Sequence, residues 1–84
     1  MTPQRIPIVI PKLGLSMEEA LVLKWSVDVG QAVEKGDVLL EIETDKATYD
    51  VLSPASGTIE SMTFEAGSIV PVTDVVGWIV AARL

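Results

Sequence analysis

The sequence predicts an all-β sandwich or barrel made of two similar halves, and three observations carry that expectation. Short apolar runs of strand type are separated at close intervals by Gly, Pro and Asp, the punctuation of a chain that turns often. Shifting the sequence by 37 residues lays Gly30 on Gly67, Val33 on Val70, Asp37 on Asp74, Val38 on Val75 and Ile42 on Ile79 without a gap. Near the centre, Val38–Glu43 and Ala47–Leu52 flank a polar pair, Asp45-Lys46, as the arms of a hairpin flank its turn.

Taken in order, Met1–Arg5 reads as a loose leader. Ile6–Ile10 is a short apolar strand that Pro7 confines to an edge, because proline has no N–H to give a central ladder. Pro11-Lys12-Leu13-Gly14 is turn chemistry, and Leu15–Ala20 is a loop holding Met17 and two acids. A helix over Ser16–Leu23 is the weaker reading, since β-branched alternation follows it. Leu21–Val27 is a strand with Leu21, Leu23, Trp25 and Val27 on one face. Turns at Asp28–Gly30 and Lys35–Asp37 bracket a short run through Val33. After the hairpin, Ser53–Gly57 is a loop, and strands are expected at Thr58–Phe64, around Ile69-Val70 and from Val75 to Ala81.

The repeat extends through conservative pairs: Leu39 with Val76, Val22 with Ile59, Val27 with Phe64, Trp25 with Met62 and Ala20 with Gly57. Halves of about 6–44 and 45–81, neither able to close a core alone, predict one domain over 1–84 with an approximate two-fold axis. Val75, Gly77 and Ile79 inherit the inward parity expected of Val38, Leu40 and Ile42, while Trp78 falls on the outward Glu41 and should be half exposed. Leu23 falling on Glu60 breaks the parity, and a bulge nearby would restore it. Trp25 reads as a packing residue, and Met17 and Met62 as gap-fillers. The shift also sends Asp45 and Lys46 to Ala82 and Arg83, so the lysine turn and the chain's end should lie at opposite ends of the domain. A tether at Leu84 would leave the lysine pointing away.

Composition narrows the function. The chain has 84 residues, no cysteine and no histidine, and so lacks protein thiols and the commonest general base and metal ligand. A formal charge of −6 argues against nucleic-acid or anionic-membrane partners. No apolar run is long enough for a transmembrane helix and the N-terminus lacks a secretory pattern, so a cytoplasmic protein without catalytic or metal-binding residues is expected.

The hairpin supplies what those absences leave. Pairing Ile42 with Tyr49 and Leu40 with Val51 makes one face apolar, and Glu43 with Thr48 and Glu41 with Asp50 makes the other polar. Lys46 then stands at the tip as an accessible primary amine. Lysines in such turns usually serve solubility and edge protection; here the flanking series gives the position its meaning. Glu41-Ile42-Glu43-Thr44-Asp45-Lys46-Ala47 resembles the attachment hairpin of lipoyl domains. The likeness runs from Ile6 to Val80 through Pro11–Gly14, Met17-Glu18-Glu19, Trp25, Gly30, Val33, Lys35-Gly36-Asp37, Pro54, Gly57, Gly67 and Val70.

The resemblance implies a flattened β-barrel of two four-stranded sheets with lipoic acid in amide linkage to Lys46, and with Glu41, Glu43, Asp45, Ala47 and Asp50 as recognition residues. It implies a swinging-arm carrier moving acyl groups and reducing equivalents within a 2-oxo acid dehydrogenase complex, with the cofactor carrying the reactivity. Its partners would be a lipoate ligase or lipoyl transferase, the 2-oxo acid dehydrogenase component, the acyltransferase core and dihydrolipoamide dehydrogenase. Lys46-Ala47 and the Pro-Lys-Leu-Gly stretch look more like pyruvate, acetoin or branched-chain relatives than 2-oxoglutarate ones. Three departures stand out: Ala20 and Thr73 replace usual glycines, and Gln31 a frequent aspartate. Thr73 predicts a different turn before the last strand, because threonine resists positive φ. The alternatives are a biotin carrier domain, whose lysine is typically flanked by methionines, a longer glycine-cleavage carrier, and an unmodified β-sandwich interaction module.

Overall fold

The structure is a computed structural model that describes residues 3–11 and 18–82. Eight strands form two four-stranded antiparallel sheets. They are β1 (Pro3–Val9), β2 (Glu19–Trp25), β3 (Ala32–Val33), β4 (Val38–Glu43), β5 (Thr48–Leu52), β6 (Gly57–Met62), β7 (Ile69–Pro71) and β8 (Val75–Ala82). One sheet has the order β1-β8-β6-β3, the other β5-β4-β2-β7. The 37-residue shift carries β2 onto β6, β3 onto β7 and β4 onto β8, and β1 takes beside β8 the place β5 holds beside β4. Each short strand pairs with the other half: β3 with β6, β7 with β2. The bonds that lock the halves repeat as well. Gly67 and Ser68 exchange backbone bonds with Val22 at 2.7 and 2.8 Å, as Gly30 and Gln31 do with Ile59 at 2.8 and 2.9 Å.

The inner faces of both sheets close on one core. Ile8, Ile10, Val22, Leu39, Leu40, Ile42, Ile59, Val70, Val76 and Ile79 are almost wholly buried. Trp25 packs on the core's edge, and its indole N–H donates to the Phe64 carbonyl at 2.8 Å; Met62 fills space beside it.

Strict alternation fails at four places, and the failures obey the repeat. In the β2–β4 ladder Val22 faces Ile42 and Lys24 faces Glu41, which leaves Leu23 as an extra residue. In β6–β8 the extra residue is Glu60, 37 positions on. In β4–β5 it is Leu39, and in β1–β8 it is Val76, again 37 apart. An added residue reverses the parity of whatever follows it. Before the bulge Ala20 and Val22 point inward; after it Trp25 and Val27 do. Leu21 and Leu23 therefore do not share the core face expected of them, and Leu23 is exposed. Likewise Leu39 and Val76 are buried, whereas Val38 is exposed and Val75 half-buried, against the inward parity expected of the latter two.

Further differences concern termini and turns. Residues 3–5 are not a loose leader: they extend β1 by pairing with β8, and Pro7 sits, as expected, in an edge strand. Glu19 and Ala20 belong to β2, and the helix alternative fails there. The turn and loop expected over 12–17, and Arg83 and Leu84, lie outside the described residues. Thr73 has φ 71°, in register with Gly36 at φ 95°, so the turn before β8 keeps its left-handed residue despite the side chain. Trp78 is half-buried as expected, and the Arg5 guanidinium covers it 4.4 Å from the ring centroid while pairing with Glu60.

The pairings give the molecule two ends along its 42 Å axis. The β2–β4 ladder starts with Leu21 beside Glu43, at the lysine hairpin. The β6–β8 ladder starts with Thr58 beside Val80, near the last described residues. β2 and β6 both finish in the middle, where Trp25 meets Phe64.

Candidate functional site

The hairpin joins β4 to β5 in the register Leu40–Val51, Glu41–Asp50, Ile42–Tyr49, Glu43–Thr48. The buried pair at its base, Ile42 over half-buried Tyr49, anchors the arms to the core. Beyond the last ladder pair, Glu43–Thr48, one backbone hydrogen bond joins Thr44 to Ala47, and Asp45 and Lys46 between them are both exposed. Neither has a positive φ, which excludes the left-handed I′ and II′ turns that usually close two-residue hairpins. Without a left-handed residue the turn lacks the twist that matches the strands it joins.

That mismatch shows in the hydrogen bonds. Thr44 N–H donates to the Ala47 carbonyl at 2.9 Å. The Ala47 N–H is taken not by the Thr44 carbonyl but by the Thr44 hydroxyl, at 3.3 Å. The same oxygen accepts the Lys46 N–H at 3.2 Å, and the hydroxyl donates to the Ala47 carbonyl at 3.1 Å. The lysine is thereby carried on a hydrogen-bonded turn that contains no glycine.

The ion pairs among the described residues are Arg5–Glu60 and Lys24–Glu41, so neither engages the Lys46 amine. The expected acids separate into different settings. Glu41 is drawn to Lys24 at 3.3 Å across the outer face of the sheet. Glu43 and Asp45 line a depression of about 430 Å³ together with Glu18, Glu19, Thr44 and Ile69, floored by Ala20 and Leu21. Asp50 instead borders a groove of about 320 Å³ between β1 and β5, where Pro7, Val9, Leu52 and Pro54 make the surface mainly apolar. Ala47 is exposed at the exit of the turn. The five residues are thus neighbours in the hairpin but do not share one pocket. Glu18, Glu19 and Ile69 were missing from the expected site; they arrive through the pairing of β2 with both β4 and β7. Among the described residues no cluster of three or more His, Cys, Asp or Glu is placed to hold a metal ion.

An exposed amine on a hairpin of a two-sheet β-fold suits a covalent carrier module, and comparison with known proteins shows the family. The family described as "Biotin-requiring enzyme" (Biotin_lipoyl) matches residues 6–79, and the chain belongs to it. Within that family the similarity is to lipoyl domains. The acetyltransferase component of the acetoin cleaving system of Cupriavidus necator is 39% identical over 84 residues, all of this chain and 22% of that protein. The succinyltransferase component of the 2-oxoglutarate dehydrogenase complex of Rickettsia typhi is 46% identical over 72 residues, 86% of this chain and 18% of that protein. Both are named as dihydrolipoyllysine-residue acyltransferases, and the chain spans only about a fifth of their length. The solution structure of the lipoyl domain of the Azotobacter vinelandii 2-oxoglutarate dehydrogenase complex superposes with a TM-score of 0.72 at 28% identity, over 92% of this chain and 96% of that one.

Proposed function

We propose that this chain is the lipoyl-bearing carrier domain of a 2-oxo acid dehydrogenase-type complex, with lipoic acid joined in amide linkage to Lys46. The observation that carries the reading is an exposed lysine on a hydrogen-bonded turn, in a hairpin whose sequence resembles the attachment hairpin of lipoyl domains. The site suits that group. The amine points to solvent outside both ion pairs of the described residues, and a cysteine-free protein gains from the cofactor the sulfurs it lacks. When bound, the lipoyl group supplies a disulfide able to take up an acyl group and a pair of electrons.

The chain's own residues place and identify the arm; they carry no catalytic step. Ile42 and Tyr49 fix the hairpin to the core, and Thr44, Asp45 and Ala47 set the turn. Glu41, Glu43, Asp45 and Asp50 offer charge to the ligase or lipoyl transferase that loads Lys46 and to the dehydrogenase component that uses it. Charges on a rim act on encounter rate more than on affinity. An acyltransferase core and dihydrolipoamide dehydrogenase complete the partners, in a cytoplasmic complex of pyruvate, acetoin or branched-chain type. That preference rests on Lys46-Ala47 and the Pro-Lys-Leu-Gly stretch alone, since the relatives include both the acetoin and the 2-oxoglutarate types.

The test is acyl incorporation from labelled 2-oxo acids, each with its own dehydrogenase, into the lipoylated domain and into free lipoamide. A pyruvate- or branched-chain-type enzyme is expected to acylate the folded domain far faster than free lipoamide, and a 2-oxoglutarate-type enzyme to work poorly. If the 2-oxoglutarate enzyme is the best donor, the assignment of the complex is wrong. If the domain is no better than lipoamide with any enzyme, recognition by the folded module is wrong.

A further inference from the structure

We infer that the Thr44 hydroxyl is the positioning group that lets a lysine occupy this turn, and that it sets how often Lys46 is presented to the enzyme that modifies it. The inference rests on the reading of Lys46 as the attachment site. It goes beyond that reading by giving the presentation of the lysine to a side chain two residues before it.

A right-handed turn closing a two-residue hairpin splays the strand ends, because its twist opposes theirs. The usual remedy is Gly or Asn in a left-handed turn. Asp45 and Lys46 do not take that route, since neither has a positive φ, and the Cβ of Lys46 disfavours the left-handed region. The splay appears as the missing backbone bond from Ala47 N–H to the Thr44 carbonyl. Left alone, the Lys46 and Ala47 amides would have only water as partner, and the turn would sample open forms. The Thr44 hydroxyl replaces the lost acceptor. It receives both amides, at 3.2 and 3.3 Å, and donates its proton to the Ala47 carbonyl at 3.1 Å, which uses both lone pairs and the hydrogen. The carbonyl it grips is the one that receives Thr44 N–H at 2.9 Å, so a single residue ties both ends of the turn. Thr44 is itself only half-buried, so its side chain is held by these bonds rather than by core packing.

This arrangement separates Thr44 from the acids around it. Among the described residues, the Glu43 and Asp45 side chains make no hydrogen bond within the turn. Thr44 makes three through its side chain and one through its backbone N–H. A positioning residue alters the fraction of molecules whose turn is closed, and the apparent affinity of a binding partner falls in proportion to that fraction.

The experiment uses the unmodified domain, a lipoate ligase with lipoate and ATP, and two variants. Thr44→Val keeps the shape and removes the hydroxyl; Thr44→Ser keeps the hydroxyl. For Thr44→Val the KM of the ligase for the domain is expected to rise about tenfold with kcat little changed, roughly the effect of losing both amide hydrogen bonds that the hydroxyl accepts. Amide exchange at Lys46 and Ala47 should quicken by about the same factor, while amides in β4 and β8 keep their protection. Thr44→Ser should stay within about twofold of the parent on both measures. Equal modification kinetics and equal exchange in Thr44→Val would overturn the inference. So would a fall in kcat at unchanged KM, which would mean that the hydroxyl acts in the ligase's own active site. A parent domain left unmodified at Lys46 would overturn the attachment reading instead, and this role of Thr44 with it.

Discussion

Thr73 holds φ 71°, a conformation that a side chain branched at Cβ resists, and it does so where the other half of the molecule has Gly36 at φ 95°. The position is kept because the turn is needed. Thr73 N–H donates to the Ile10 carbonyl at 2.8 Å, the counterpart of Gly36 N–H to Ser53 at 2.9 Å. Those bonds tie the turns to the ends of β1 and β5 and keep the edge strands in place. The left-handed region costs a residue with a Cβ about 1–2 kcal/mol, and replacing it by glycine returns part of that gain as entropy of the unfolded chain. Thr73→Gly should therefore stabilise the domain by about 0.5–1 kcal/mol, seen as a higher midpoint in urea at unchanged slope. A loss of stability would mean that the threonine side chain makes a compensating contact. From the sequence a changed turn was expected here, because local preference was set against nothing else. The bonds that override it, Thr73 N–H to the Ile10 carbonyl and Ile10 N–H to the Asp74 carbonyl, depend on the rest of the fold.

At the scale of elements, the ladder irregularities decide which side chains form the core. The strands and the hairpin register were legible in the sequence, since both rest on local alternation and on turn residues a few positions apart. The bulges were only half legible. The repeat exposed a conflict between Leu23 and Glu60, yet neither residue shows by itself that it is the one left out of the ladder. That is settled by the need of Val22, Trp25 and Val27 to reach the same core. The candidate site divides in the same way. Lys46 and its neighbours could be read from one short segment, whereas Glu18, Glu19 and Ile69 join Glu43 and Asp45 through pairings distant in sequence. The bulge gives a test that opposes the simple alternating pattern. Leu23→Thr should change stability by no more than about 0.5 kcal/mol, because Leu23 is exposed in the bulge. Val22→Thr should cost about 2 kcal/mol, since its hydroxyl would enter a fully buried position. Paired urea melts check both, and the reverse order would contradict the placement of the bulge.

For the molecule as a whole, the two-fold repeat turns one structural unit into a device with distinct ends. β4 and β8 are equivalent strands running outward from the middle; one leads into the lysine turn, the other to the last described residues. The outer positions that correspond, Glu41 and Trp78, have diverged: Glu41 pairs with Lys24 beside the hairpin, and Trp78 lies under Arg5 on the opposite sheet. The account turns on Lys46 being the one lysine that is modified. The direct measurement is a peptide mass map of the folded domain after incubation with a lipoate ligase, lipoate and ATP, set against Lys12, Lys24 and Lys35 in the same chain. A single adduct on Lys46, lost in Lys46→Arg, is the predicted result. An adduct on any of the other three lysines, or a folded domain that takes up none, would contradict it.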